Sequence, residues 1–217
     1  MTTAASTTTT STTRVISYID GFNFYFGLKS KGWKKYYWLD LVGMSSALLK
    51  PGQALQHCHY FTARIRNTGG NNRDANRQSL WLDALGTLDK QTSHYGHYLQ
   101  KQKNCRSCGA QWTTHEEKMT DVNIAVQLLS DAYEDKFDTA LVISGDSDLT
   151  TPIKMVLERF PKKRIIVAFP PGRSSHQLRT TATASFTIGE AKLRKNRLPN
   201  IITTGSGHEL HRPEQWY

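Results

Sequence analysis

The chain is short of what would place it outside the cell or in a membrane. Only three of its 217 residues are cysteine. An odd, small number does not make the disulfide framework of a secreted domain, and a cytoplasmic location is expected. No apolar run approaches the ~20 residues of a membrane span. The stretch Met1-Thr2-Thr3-Ala4-Ala5 has neither the basic start nor the apolar core of a signal peptide. There is no internal repeat, which excludes a solenoid. Acidic residues are also scarce: 18 against 28 Lys plus Arg, a net charge of +10. Such a surplus suits a polyanionic partner, with solubility as the plainer alternative.

At 217 residues the chain suits one domain with a sizeable core. Residues 1–13 are mostly Thr, Ser and Ala and read as a disordered N-terminus; 14–193 read as the folded domain, and 194–217 as a basic, flexible tail. Strands are expected at Val15–Ile19, His57–Ala63, Ser93–Leu99, Thr139–Ser144, Ile165–Phe169 and Ser185–Ile188. Helices are expected at Phe22–Lys29, briefly after Asp40, and at Arg73–Lys90, Thr120–Asp135, Thr150–Phe160 and Ser175–Thr183. In the fourth of these, Val122, Val126, Leu129 and Tyr133 form the expected apolar stripe. The alternation predicts an α/β fold: a doubly wound, mostly parallel sheet flanked by helices.

The few acids fall where chemistry would want them. Asp20 closes the run Val15-Ile16-Ser17-Tyr18-Ile19, and Asp146 and Asp148 follow Leu141-Val142-Ile143 within Ser-Gly-Asp-Ser-Asp. Open α/β sheets place their sites at strand carboxyl ends. Asp121 opens the fourth helix, whereas Asp138 belongs to the loop before the next strand. Converging carboxylates repel unless a divalent cation neutralises them. With Mg²⁺ or Mn²⁺ such a centre can hydrolyse a phosphodiester. Asn23 and Lys118 are placed to help hold a phosphate. Taken singly, Asp121, Asp146 and Asp148 are equally good helix and turn caps.

Ile19-Asp20-Gly21-Phe22-Asn23, then Glu117-Lys118-x-x-Asp121-Val122, then Ser144-Gly145-Asp146-Ser147-Asp148-Leu149 resembles the NYN domain, a branch of the PIN-like nucleases. The likeness runs from about Arg14 to Leu193, and Ala168–Ser175 resembles a stretch of bacterial members. It implies a PIN-like fold and a Mg²⁺- or Mn²⁺-dependent endoribonuclease acting on RNA, single-stranded by expectation. Its acidic residues map onto Asp20, Asp121, Asp146 and Asp148, and its lysine onto Lys118. The rival from another class is a non-catalytic RNA-binding or scaffold protein. A haloacid-dehalogenase-type phosphatase wants an Asp where Phe22 stands.

Cys105-Arg106-Ser107-Cys108-Gly109 is a knuckle that can grip structural Zn²⁺, with His115 as a third ligand; two free thiols in a turn is the alternative. Cys58 reads as core. His57 and His59 share one strand face as edge residues or a metal pair. Trp33, Tyr36, Tyr37 and Trp38, interleaved with lysines, suit either core packing or base stacking. Arg64 and Arg66 after the second strand, with Arg173 and Arg179 near the last helix, are candidate RNA contacts.

Overall fold

A computed structural model describes residues 12–65 and 72–217, without the side chains of residues 100 and 115–117. The elements run β1 (Thr13–Asp20), α1 (Gly21–Ser30), α2 (Leu41–Ala47), β2 (Gln53–Ala63), α3 (Arg73–Leu85), β3 (Gln91–Asn104), β4 (Gln111–Lys118) and α4 (Thr120–Tyr133). They continue as β5 (Thr139–Ile143), α5 (Thr150–Arg159), β6 (Arg164–Phe169), α6 (His176–Thr181), β7 (Ala184–Thr187), α7 (Glu190–Lys195), β8 (Ile201–Thr203) and β9 (Glu209–His211).

Seven strands lie in the order β4-β3-β2-β1-β5-β6-β7. Six are parallel, and β4 alone runs antiparallel, against β3. The chain winds outward from β1 in one direction through β2 and β3. It then returns to β5 on the other side of β1, so a topological switch point opens between β1 and β5. Crevices of this kind are where open α/β sheets bind ligands.

The central strands are apolar on both faces because both are covered. Val15 and Ile19 of β1 face α1, α2 and α3 through Leu28, Met44 and Leu85. Ile16 and Tyr18 face α4, α5 and α6 through Ile124, Leu128, Ile153 and Leu178. Burying each such aliphatic side chain contributes roughly 1.5–3 kcal/mol.

The stripe expected on α4 is corrected. Val122, Val126 and Tyr133 are 52, 61 and 60 % exposed, Leu129 packs half-buried against the core, and the buried face is Ile124, Leu128 and Ala132. Both sets repeat at helical spacing; the second also brings Asp131 inward, where a polar socket receives it. The Asp131 carboxylate accepts from Tyr18 Oη at 2.8 Å and Gln127 Nε2 at 2.9 Å. His59 Nε2 lies at 3.3 Å from it, and His59 Nδ1 is 2.9 Å from His94 Nε2. Burial alone would raise this carboxyl, but hydrogen bonds from His59, Tyr18 and Gln127 outweigh it and bring it down to about 2. His59 of β2 and His94 of β3 therefore serve a core hydrogen-bond chain, while His57 pairs with Thr92 at 2.9 Å.

The C-terminal segment is also corrected. Residues 194–217, expected as a flexible tail, include the end of α7, carry β8 and β9, and pack Leu198, Leu210 and Trp216 against Trp38 and Ala84. Trp38 Nε1 donates to Pro199 O at 2.6 Å. Indole burial holds the segment down, a contribution its basic composition concealed. Thr13 already belongs to β1, and the N-terminal expectation otherwise lies outside the described residues, apart from Thr12. Among the described residues no helix is long and apolar enough to cross a membrane.

Replacing Asp131 with Ala strands the Tyr18 hydroxyl and the His59–His94 pair, so urea unfolding at pH 7 should show a loss of about 3 kcal/mol. The native carboxyl is depressed, so its contribution is present above the ordinary range and declines as pH falls from about 4 toward 2. A variant as stable as the wild type at pH 7 would refute this reading of the socket.

Candidate metal centre

Strand parity decides which side chains meet. Ile19 pairs with Ile143 across β1 and β5, so Asp20 and Ser144 follow side by side at the strand ends. Both share the parity of Tyr18 and Val142, which face the α4 layer. Ser144 Oγ donates to Asp20 Oδ2 at 2.7 Å and accepts from the Asp146 N–H at 3.0 Å. One buried hydroxyl thus ties both acidic segments together. Asp20 Oδ1 accepts from Asn23 N at 2.9 Å, capping α1, and Asn23 Oδ1 accepts from Gly145 N at 3.0 Å. A side chain at Gly145 would stand 3.0 Å from Arg173 Cβ and 3.2 Å from Asn23 Oδ1, so the turn has room for glycine and little else.

The third carboxylate arrives from the opposite layer. β4 ends at Lys118, and Met119 turns the chain with φ +80°, an uncommon conformation for a non-glycine residue. Thr120 and Asp121 then start α4. Close approach fixes this start, since a Cβ at Gly96 would fall 2.4 Å from Lys118 O and 2.9 Å from Thr120 Oγ1. One carboxylate oxygen from each of Asp20, Asp121 and Asp146 lies within 4.8 Å of the others.

These three fit a hard divalent cation. Oxygens sharing one ion at ~2.1 Å lie at most about 4.2 Å apart, so the observed spread needs only a small adjustment. Electrostatics point the same way. Asp20 is 3 % exposed; burial, with Asp121 and Asp146 nearby, raises its carboxyl to about 6 despite hydrogen bonds from Asn23 and Ser144. Asp121 is likewise raised, by burial and then by Asp146 and Asp148. An all-oxygen donor set with excess negative charge suits Mg²⁺ or Mn²⁺ over softer metals.

The remaining expected site residues divide. Asp148 does not join the three: it is exposed, and its N–H donates to Asp146 Oδ1 at 3.1 Å. Asp148 lines a surface pocket with Gln177 and Thr180 of α6, while its charge still acts on Asp121. Lys118 is exposed at the end of β4. Arg173 borders Gly145 and stands over Phe26, with Cζ 6.0 Å from the ring centroid. Arg179 stacks on Phe169 at 5.0 Å, and Arg64 on Tyr95 at 4.6 Å. Arg66 lies outside the described residues. Asp138 is bound to Arg14 N and Nη2, both at 2.7 Å, at the far end of β1.

The Cys105–Cys108 knuckle and His115, the residues of the zinc expectation, lie apart along the backbone of the β3–β4 ribbon. β4 pairs His115 with Gln100, whereas the thiols sit in the turn beyond the Asn104–Gln111 pair. Four strand residues separate His115 from that turn, roughly 13 Å. Cys58 is fully buried in β2.

Two features were missed in the sequence. Ser144 had a legible signal, a hydroxyl between an apolar strand and Gly-Asp. The other is a cavity of about 540 Å³ that starts at Gly21 and Phe22, one residue from Asp20. Its walls include Tyr25, Phe26, Tyr37, Trp81 and Tyr98, with Lys29, Lys34 and Arg77 among the polar residues. Phe22 meets Tyr98 edge-on at 5.8 Å, and Tyr25 lies 5.1 Å from Tyr37. Trp216 of the C-terminal segment closes one side. Residues so far apart in sequence give no local sign of a shared wall.

The fold is that of an open α/β protein with a mostly parallel sheet, and three carboxylates that could hold a cation gather at its switch point. The particular family follows: the NYN domain model matches residues 14–189, and the chain belongs to the NYN family, whose fold is nuclease-like. The chain is also 25 % identical over 240 residues to the 6-hydroxy-3-succinoylpyridine 3-monooxygenase HspA of Pseudomonas putida, spanning 92 % of this chain and 74 % of that protein. Its fold is similar to the crystal structure of a protein of unknown function from Vibrio parahaemolyticus, with TM-score 0.53 and 16 % identity over 83 % of this chain and 95 % of the other. That second likeness concerns the fold alone.

Asp20 provides a direct check. Its folded carboxyl is raised above the ordinary 3.8, so its ionisation costs stability: the full stability is present below about pH 4 and is lost as pH rises through 6. Asp20→Asn should therefore stabilise the metal-free protein by about 3 kcal/mol at pH 7.5 and hardly at all at about pH 3.5. Thermal melts in EDTA read this, and equal melting temperatures for the two proteins at both pH values would contradict it.

Proposed function

We propose that this protein is a metal-dependent endoribonuclease that hydrolyses phosphodiester bonds in single-stranded RNA. The observation that carries the reading is the convergence of Asp20, Asp121 and Asp146 within 4.8 Å at the switch point. Such carboxylates suit NYN proteins, which are typically nucleases, and the net charge of +10 suits a polyanion.

In this reading Asp20, Asp121 and Asp146 hold Mg²⁺ or Mn²⁺, which when bound neutralises phosphate charge and acidifies a water. Ser144 and Asn23 keep the β1 and β5 ends in register, so the carboxylates need not reorganise. Asn23 uses its carbonyl oxygen on Gly145, which leaves the amino end for a phosphate oxygen. Arg173 beside Gly145 and Lys118 before α4 meet the flanking phosphates. Asp148, which adds negative charge near Asp121, tunes the centre from outside the ligand set. The aromatic cavity receives a base next to the scissile phosphate, since flat rings stack on unpaired bases without needing a duplex.

The test is cleavage of labelled single-stranded RNA and DNA with Mn²⁺, Mg²⁺ or EDTA. Wild type should cut RNA only with metal, and Asp146→Asn should lose at least a hundredfold in rate with unchanged circular dichroism. Full activity in that variant would sink the assignment; RNA bound but uncut under every metal would favour a non-catalytic binding module. Tyr98→Ala should raise KM for RNA roughly tenfold, the value of about 1.4 kcal/mol of lost stacking, with kcat little changed.

A second reading rests on the same cavity. The relative named as a monooxygenase acts on a substituted hydroxypyridine, and a heteroaromatic ring suits walls of Phe22, Tyr37 and Tyr98. Oxygen uptake with that compound and a nicotinamide electron donor, in protein that leaves RNA intact, would favour it.

A further inference from the structure

β3 pairs with β2 only over Gln91–Gly96; from His97 to Asn104 its ladder partner is β4. The outer part is therefore a two-stranded ribbon running beyond the sheet, a form that buries little by itself. At its tip, Cys105 N donates to Ala110 O at 2.8 Å and Gly109 N to Cys105 O at 2.9 Å, with Gly109 at φ +70°. This closed turn brings Cys105 and Cys108 into one tight chain reversal, and neither is buried. Hydrogen bonding from the Cys108 and Ser107 backbone and from the Cys108 side chain lowers the Cys105 thiol from its ordinary value, favouring the thiolate that metals bind.

Such a knuckle supplies half of a tetrahedral thiolate site. Among the described residues the other candidates stand apart from it: the His115 backbone is four residues down β4, and Cys58 is fully buried in β2. Among the described residues, no third His, Cys, Asp or Glu ligand joins the pair. Two identical knuckles related by a twofold axis would supply all four ligands, an isologous contact.

We propose that Cys105 and Cys108 of two copies of this chain share one Zn²⁺, joining the ribbons tip to tip. The four thiols release their protons to solvent as they bind. The resulting tetrathiolate centre carries a charge of −2, and Lys101, Lys103 and Arg106 of each copy surround it with compensating charge. Trp112 pairs with Lys103 one step from the end of the ladder and is 48 % exposed. It is placed to be covered by the partner's ribbon. Thiolate softness selects Zn²⁺ here over the hard cation of the carboxylate centre, so two metals can bind one chain without competing.

The experiment is sedimentation velocity on untagged, EDTA-stripped protein titrated with Zn²⁺, with Co²⁺ absorption as a reporter of ligand type. The expected result is a dimer with one Zn²⁺ per two chains and the spectrum of a tetrathiolate Co²⁺ site. The Cys105→Ser/Cys108→Ser double variant should lose both and keep wild-type circular dichroism and nuclease activity. One Zn²⁺ per chain without dimerisation, no Zn²⁺ binding, or a dimer that persists in the double variant would overturn the proposal.

Discussion

Three carboxylates from three chain segments are pressed within 4.8 Å of one another, and the fold has to hold them there against their own repulsion. Two local devices do much of this. Ser144 donates to Asp20 and accepts from the Asp146 backbone. Asn23 spans the same crevice, its backbone on Asp20 and its side chain on Gly145. Burial first, and then the charges of Asp121 and Asp146, raise the Asp20 carboxyl to about 6. A divalent cation would relieve this charge, and sites of this kind trade stability for function.

The surrounding architecture follows from that need for rigidity. Two apolar layers clamp β1 and β5, so the strand ends that carry Asp20 and Asp146 have little freedom to separate. α4 brings Asp121 from one side, fixed at its start by the contact of Gly96 with Lys118 O and farther along by the Asp131 socket on Tyr18 and His59. The second layer, with the C-terminal segment docked through Trp216, shapes the aromatic cavity beside the same carboxylates. The carboxylates and the aromatic cavity thus draw on opposite faces of one sheet near its switch point.

Much of this was legible in the sequence because it depends on local pattern. Apolar runs ending in Asp or Ser-Gly-Asp mark parallel strands that deliver side chains to a strand-end site, and period-two parity carries Asp20 and Ser144 to the same side. What stayed hidden depends on tertiary context. Both Ile124-Leu128-Ala132 and Val122-Val126-Tyr133 are apolar at helical spacing; only the socket for Asp131 decides between them. β4 reads as polar, since much of its ribbon is exposed, and the tail reads as basic because its anchors, Leu210 and Trp216, are few. Asp148 has the same motif context as Asp146, yet it is exposed and stands outside the group of three. Capping and convergence, which compete as readings of the sequence, coexist at Asp20 and Asp146.

Anomalous diffraction from crystals of the full chain grown with Mn²⁺ tests the central claim most directly. The account requires a peak bounded by Asp20, Asp121 and Asp146 that disappears in crystals of Asp121→Asn. A well-ordered, Mn²⁺-loaded crystal with no peak there, or with the peak unchanged in that variant, would contradict it.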